Sequence, residues 1–202
     1  MRVEAAIQDD ALTCRFPDGT IAAGSVDSLG PAHLVDFYGR PVQAREVQGP
    51  WAEAFSAYVG RELRLVRAEQ DGDGADVLPL TIVSYASVDD LGRRGGYPGA
   101  LDPRRFRITI ELDGAEPYEE DAWDGREVAI GDAVIRVAGQ IPRCVVTTQD
   151  PATGVHDWNT LKQLATLRGP MRDRSGVPFG MYAIVVAPAT VPVRAPVAPL
   201  DV

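Results

Sequence analysis

One of the two cysteines of this chain has sequence neighbours that could support a chemical role for its thiol. Cys144 directly follows Pro142 and Arg143 in the segment IPRCVVTTQDPATG, residues 141–154. Three interpretations of Cys144 are open. Free cysteine is often a small buried core residue. It can be a nucleophile beside the positive charge of Arg143, although no histidine is near in sequence to act as its base. It can also be one thiolate ligand of a soft or redox-active metal that is held mainly by other groups.

Arginines are grouped in an otherwise acidic chain. The formal net charge is −9, which argues against binding to nucleic acid or to an anionic membrane, since both require basic patches. A local group of arginines nevertheless suits one compact anionic ligand, and the alternative is that most of these side chains are solvated on the surface. The groups are Arg93 and Arg94; Arg104, Arg105 and Arg107; and Arg168, Arg172 and Arg174.

Length and composition favour one β-rich domain that can bury its own core. The chain has 202 residues with 20 glycines and 16 prolines, which is typical of many turns and short strands. No basic and apolar leader begins the sequence, and no apolar run approaches the roughly 18 residues of a membrane span. We therefore expect a soluble, cytoplasmic protein whose Cys14 and Cys144 are thiols or ligands.

The elements that position these residues can be predicted from local patterns. In the first half of the chain, the turn at residues 16–20 predicts a hairpin, and the apolar spacing from Trp51 predicts a helix that Gly60 ends. Residues 62–68 and 78–84 are predicted strands, separated by an exposed acidic loop at residues 69–76. Ser87 is the predicted N-cap of the next short helix.

In the second half, residues 105–112 are predicted to form a strand. Residues 126–139 are predicted to form a hairpin that turns at Gly131 and Asp132. A helix capped by Asp157 and ending near Arg168 should follow, then an apolar strand at residues 181–187 and a proline-rich edge strand. Short strands thus dominate, and the predicted fold class is β-rich α+β.

Four segments resemble the MOSC domain family in their order and spacing. This module is found at the C-terminus of molybdenum cofactor sulfurases and in mitochondrial amidoxime-reducing components. The resemblance covers about residues 62–197 and implies a closed β-barrel of mixed strands with peripheral helices. We expect a single domain over residues 1–202, with residues 61–198 as the MOSC core and 1–60 as a divergent extension packed on it. The four segments are RFRITIELDG (105–114), EEDAWDGREVAIGDAVIRV (119–137), IPRCVVTTQDPATG (141–154) and FGMYAIVVAPATVPVRAPV (179–197).

The resemblance implies that Cys144 stands where the family's cysteine ligates molybdenum or, in the sulfurases, handles sulfur. It also implies that the hydroxyls of Ser84 and Ser87 help to hold the phosphate of a molybdopterin cofactor. A helix N-terminus with hydroxyls beside it suits a phosphate on physical grounds as well. The alternative for Ser87 is that it only caps the helix.

Further cofactor contacts are expected from Arg107, which matches an arginine of the family's motif and whose guanidinium suits a phosphate or the polar edge of a pterin. Thr109 replaces the family's asparagine and can substitute in part through its hydroxyl. Arg143 is expected beside the metal, where its positive charge would raise the reduction potential of the metal. Thr147 and Asp150 are expected in the following loop, with strand packing as the alternative for Thr147.

The sequence departs from the amidoxime-reducing members in two ways. Ile108 and Thr109 stand where those proteins have proline and asparagine, and residues 1–60 do not match the β-barrel module that precedes their MOSC domain. The chain also lacks the cysteine cluster of a fused iron–sulfur domain, so electrons are expected from a separate partner protein.

These observations lead to three functional hypotheses. The first is a molybdenum-cofactor-dependent oxidoreductase that reduces small N-hydroxylated or N-oxygenated substrates, with Cys144 on the metal. The second is a sulfur carrier in which Cys144 holds a persulfide. The third is a non-catalytic protein that binds a small ligand.

Overall fold

The computed structural model describes residues 3–70, 73, 77–171 and 176–200. By its internal contacts the chain divides into two compact units, Met1–Asp76 and Val77–Val202. The prediction of one domain over residues 1–202 stays a prediction. Among the described residues, no helix combines the length and apolar character that crossing a bilayer requires.

The described part of the first unit contains two antiparallel three-stranded sheets and one helix, α1 (Trp51–Val59). The predicted turn at residues 16–20 joins two paired strands, and Gly60 ends α1 with φ 77°, so both predictions are confirmed. One sheet contains β1 (Glu4–Gln8), β2 (Ala11–Arg15) and β3 (Ile21–Ser25), and the other contains β4 (Leu29–Phe37), β5 (Arg40–Val47) and β6 (Val66–Ala68).

The core of the first unit forms around Trp51, whose side chain is completely buried. Phe16 packs edge-on against Phe55 and Tyr58, with ring centroids 5.0 and 5.3 Å apart. Cys14 belongs to this core, and burial raises the pKa of its thiol. Such a thiol is protonated and poorly reactive at neutral pH.

The second unit is built on a mixed sheet whose six described strands are β7 (Leu80–Ser84), β8 (Ile110–Leu112), β9 (Glu127–Ile130), β10 (Ala133–Arg143), β11 (Val177–Ala187) and β12 (Val197–Pro199). Their order is β12-β9-β10-β11-β7-β8, and among the described pairs only β7–β8 is parallel. The sheet curls into a half-barrel, and a closed barrel is not shown among the described residues. The described helices of this unit are α2 (Tyr85–Arg94) and α3 (Thr160–Arg168).

Two apolar clusters pack against opposite faces of this sheet. Neighbouring residues of β7 show the division, because Ile82 belongs to one cluster and Val83 to the other. On β11, Phe179 and Met181 should share a face by strict alternation, yet each lies in a different cluster. Gly180 between them has φ +73°, and the pairing with β10 is irregular at this point. The irregularity lies next to the end of β10 that leads to Cys144.

Several predicted boundaries are wrong for local reasons. The predicted strand 105–112 is shortened to β8, because Pro103–Phe106 forms a 3-10 turn. The Asp102 carboxylate accepts a hydrogen bond from the backbone N–H of Arg104 at the start of this turn, and Arg107 ends it in the left-handed conformation.

Both predicted helix caps are also displaced. Ser84 rather than Ser87 caps α2, and Asn159 rather than Asp157 caps α3. In each case the residue that caps accepts a hydrogen bond from the N–H three positions later, as an N-cap side chain does. The predicted hairpin between β9 and β10 is confirmed. The predicted loop 69–76 lies largely outside the described residues.

Candidate functional site

Cys144 is an exposed free thiol at the end of β10. The chain leaves the strand there and turns through a short 3-10 segment, Val145–Thr148. Thr147 fixes this turn, because its N–H and its hydroxyl both donate to the Cys144 carbonyl oxygen, at 3.2 and 3.0 Å. The structure therefore decides against the interpretation of Cys144 as a buried core residue. Its sulfur is accessible to a reagent, a metal or a substrate.

Arg143 precedes the exposed thiol and carries an enclosed guanidinium. Its Nε donates to the Phe179 carbonyl at 2.7 Å and its Nη1 donates to the Phe106 carbonyl at 2.9 Å, while the guanidinium lies 5.5 Å from the centre of the Phe106 ring. Burial lowers the pKa of Arg143 to about 10, and attraction to Tyr182 and Cys144 opposes this shift. Arg143 is thus a cation at neutral pH.

One donor of this cation is unused. The Nη2 atom of Arg143 is buried and has no hydrogen-bond partner. A Cβ atom built on Gly180 would lie 3.1 Å from Nη2 and 2.8 Å from the Ile82 carbonyl oxygen. Only glycine leaves this space open at φ +73°, because any side chain would collide with the backbone of β7. A buried donor without a partner is costly, so an acceptor from a bound ligand would satisfy it.

The predicted phosphate ligands Ser84 and Ser87 lie in a buried network. Their hydroxyl oxygens are 2.6 Å apart, and both side chains are fully buried. Ser87 also donates to Glu120 Oε1 at 2.8 Å and accepts from the Tyr118 N–H at 2.7 Å. The network caps α2 and attaches it to the Glu119–Trp123 3-10 turn. A role for these serines in cofactor binding stays a prediction.

Arg107 and Thr109 are both exposed. The N–H of Thr109 donates to Thr81 Oγ1 at 2.9 Å, and the two threonine hydroxyls are 3.2 Å apart. Arg107 has φ 53°, the left-handed conformation at the end of the 3-10 turn. Neither residue is shown in contact with Cys144 or Arg143, and their roles as cofactor ligands stay predictions.

The arginine groups do not form patches of unpaired positive charge that would bind anions uniformly. Arg93 and Arg94 both pair with Asp90, Arg104 pairs with Asp102, and Arg168 pairs with Asp121. These contacts neutralise much of the positive charge that the sequence displays. The predicted members Arg172 and Arg174 lie outside the described residues.

Sequence reasoning missed the role of Arg105, which it counted among possible surface arginines. The side chain of Arg105 is completely buried and forms an ion pair with Asp157 at 2.9 Å. It also donates to the Thr147 carbonyl at 3.0 Å, inside the turn that follows Cys144. The Asp-Pro pair at residues 102–103 was the available signal for the 3-10 turn that contains Arg105.

Two cavities of the second unit lie near these residues without including the thiol. One, of about 410 Å³, has Arg94, Tyr118, Gln140 and Arg168 among its lining residues. The other, of about 680 Å³, has Asp89, Asp90, Arg93 and Tyr97 in its lining. Cys144 lines neither of these two cavities.

The MOSC domain family model matches residues 69–198, more than half of the 202 residues, and the chain belongs to this family. The resemblance seen in the sequence is thereby confirmed.

Curated relatives carry the name of amidoxime-reducing components. The chain is 29% identical over 171 residues to mitochondrial amidoxime reducing component 2 of Bos taurus, covering 74% of this chain and 50% of the relative. It is 34% identical over 129 residues to component 1 of Homo sapiens, covering 61% of this chain and 37% of that protein. Component 2 of Rattus norvegicus is 36% identical over 113 residues, 53% of this chain and 32% of the relative. The chain thus spans at most about half the length of these relatives.

Proposed function

We propose that this protein is a molybdenum-cofactor-dependent oxidoreductase that reduces small N-hydroxylated or N-oxygenated compounds. Membership of the MOSC family and relatives named amidoxime-reducing components support the class of reaction. The observation that carries the proposal is the pair formed by the exposed Cys144 thiol and the adjacent Arg143, whose buried Nη2 has no partner. Barrel closure and a cytoplasmic location belong to the same proposal.

The residues present fit the cofactor in two respects. A thiolate is the kind of ligand that a soft or redox-active metal prefers, and the exposed Cys144 thiol would supply one on losing its proton to metal binding. The unpaired Nη2 donor of Arg143, the residue next to Cys144, suits an acceptor on an anionic or polar part of the cofactor. Among the described residues, no group of three or more histidine, cysteine or acidic side chains is close enough to hold a metal.

The division of labour follows from these positions. The bound cofactor would supply the two-electron chemistry that converts an N–OH group and two protons to N–H and water. Cys144 would hold the metal, and Arg143 would bind negative charge beside it. Thr147 would keep the Cys144 backbone in place through its two hydrogen bonds to the carbonyl oxygen. In this proposal Ser84, Ser87, Arg107 and Thr109 remain candidates for the pterin and its phosphate, and a separate protein delivers the electrons.

Expression in a host that makes the cofactor tests this function directly. Wild-type protein should contain molybdenum, measured by elemental analysis per polypeptide, and should reduce benzamidoxime with a chemical electron donor. Cys144→Ala should lose most of the activity, since one metal ligand is removed. Cys14→Ala is the matched control, because Cys14 is buried in the core of the first unit. Wild-type protein without molybdenum would refute the proposal.

A second candidate is sulfur transfer, which the exposure of Cys144 beside a cation also favours. Treatment with a cysteine desulfurase and cysteine should then add one sulfur atom at Cys144, detected by mass spectrometry. Persulfide at Cys144 in protein that contains no molybdenum would favour this candidate. Addition only at Cys14 would exclude it.

A further inference from the structure

The turn that follows Cys144 is fastened to a second buried arginine. We propose that Arg105, supported by Asp157 and Tyr97, is a positioning residue that fixes the Cys144 thiol in the orientation its chemistry requires. The proposal deepens the proposed function, on which it rests in so far as Cys144 is the metal ligand. The contacts that argue for it belong to this chain and can be tested without the cofactor.

The guanidinium of Arg105 makes four hydrogen bonds. Nη1 donates to the carbonyl oxygens of Thr147 and Gln149, at 3.0 and 3.3 Å, and to Asp157 Oδ1 at 3.1 Å. Nη2 donates to Asp157 Oδ2 at 2.9 Å. The side chain therefore joins two backbone carbonyls of the turn region to a carboxylate that lies just before α3.

The connection reaches Cys144 through one further residue. The Thr147 carbonyl oxygen accepts a hydrogen bond from Arg105 and a second one, of 2.7 Å, from the hydroxyl of Thr160. The N–H and hydroxyl of the same Thr147 hold the Cys144 carbonyl. Movement of the Arg105 guanidinium would thus leave the Thr147 carbonyl bonded to Thr160 alone and loosen the link from Thr147 to the backbone of Cys144.

The 3-10 turn Pro103–Phe106, which contains Arg105, also fixes the chain just before Cys144. Phe106, the residue after Arg105, accepts a hydrogen bond from Arg143 Nη1 at 2.9 Å. Arg105 holds the segment after Cys144 and the Phe106 carbonyl holds the residue before it. The segment Pro103–Phe106 consequently sets the position of Cys144 from both directions.

Tyr97 completes the support of the ion pair. Its ring centre lies 5.4 Å from the Arg105 guanidinium, and its hydroxyl donates to Asp157 Oδ2 at 3.2 Å. Removing a guanidinium from water is costly, and an apolar residue of similar volume often gives equal stability. Arg105 also leaves its buried Nε without a partner while it donates to two loop carbonyls. It is therefore better explained by the geometry it imposes than by the stability it adds.

The test is 13C nuclear magnetic resonance of the whole chain, labelled at the Cβ atom of cysteine. The spectrum should contain one Cβ signal from Cys144 and one from Cys14. Arg105→Met should shift or split the Cys144 signal and leave the Cys14 signal unchanged. Arg105→Lys, which keeps a cation able to donate to a carbonyl, should restore the signal in part. Arg104→Met is the matched control, because that neighbouring side chain is 67% exposed and pairs only locally with Asp102. It should leave both signals unchanged.

In protein from a cofactor-producing host, Arg105→Met should also lower the molybdenum content about 10-fold or more, as loss of a residue that orients a metal ligand does. A folded Arg105→Met protein with an unchanged Cys144 signal would overturn the proposal. If Arg105→Met does not fold, Asp157→Asn takes its place in the test. An unchanged Cys144 signal in Asp157→Asn would likewise overturn the proposal. Wild-type protein without molybdenum would defeat the proposed function, while the cysteine signals would still decide the role of Arg105.

Discussion

At the scale of single residues, the candidate site places an exposed thiol next to a residue whose charged group is buried. The sulfur of Cys144 is exposed, whereas Nη2 of Arg143 next to it is buried and unpaired. Sequence alone left Cys144 open between core residue, nucleophile and ligand, because exposure depends on where β10 ends and how the chain turns. The structure shows that Cys144 is exposed, in a turn whose backbone Thr147 holds.

Gly180 offers a prediction at this scale. Gly180→Ala should destabilise the protein by more than the roughly 1–2 kcal/mol of a left-handed alanine, because its Cβ would lie 2.8 Å from the Ile82 carbonyl oxygen. Gly114→Ala is the matched control, since Gly114 has φ +78° with no atom within 4 Å of the added Cβ. Urea unfolding measures both variants. Equal losses of stability in the two would contradict the argument.

At the scale of elements, patterns with a strong local cause were predictable from the sequence. The helix that Gly60 ends and the hairpin at Gly131 are examples. The strand predicted at residues 105–112 is confirmed only over β8, because Asp102 and Pro103 start a 3-10 turn that Arg107 ends in the left-handed conformation. The inward course of Arg105 depends on Asp157, a residue distant in sequence. No local pattern indicates that partner.

The ion pair of Arg105 and Asp157 links elements and gives a pH dependence. Hydrogen bonding from Arg105 lowers the pKa of Asp157, so its contribution to stability is present above the usual value of about 3.9 and is lost as the pH falls through the lower folded value. At neutral pH, Asp157→Asn should therefore cost about 1 kcal/mol, since the carboxylate is partly exposed. The difference from wild type should shrink as the pH falls below about 4. Urea unfolding of both proteins between pH 3 and 7 measures it, and a constant difference would refute this origin.

At the scale of the whole molecule, every proposed site residue belongs to one of the two units. Residues 84, 87, 105, 107, 109, 143, 144 and 147 all fall within Val77–Val202. Both apolar clusters of the curled sheet are formed by residues of this unit as well. The family match begins at residue 69, close to the division at Asp76. The unit therefore contains the elements of an independent folding domain, namely a sheet, two helices and its own core.

A fragment of residues 77–202 tests whether this unit is independent. We expect it to unfold cooperatively on heating and to keep the near-ultraviolet circular dichroism of packed aromatic rings, because Phe106 and Phe179 pack within the unit with centroids 4.5 Å apart. Ile82→Asp in the same fragment provides the unfolded reference, since it places a charge at a fully buried position. A wild-type fragment that resembles this reference would show that residues 1–76 are required for folding, as a single domain over the whole chain demands. If the fragment folds, its molybdenum content compared with that of the full chain measures what the first unit adds to cofactor binding.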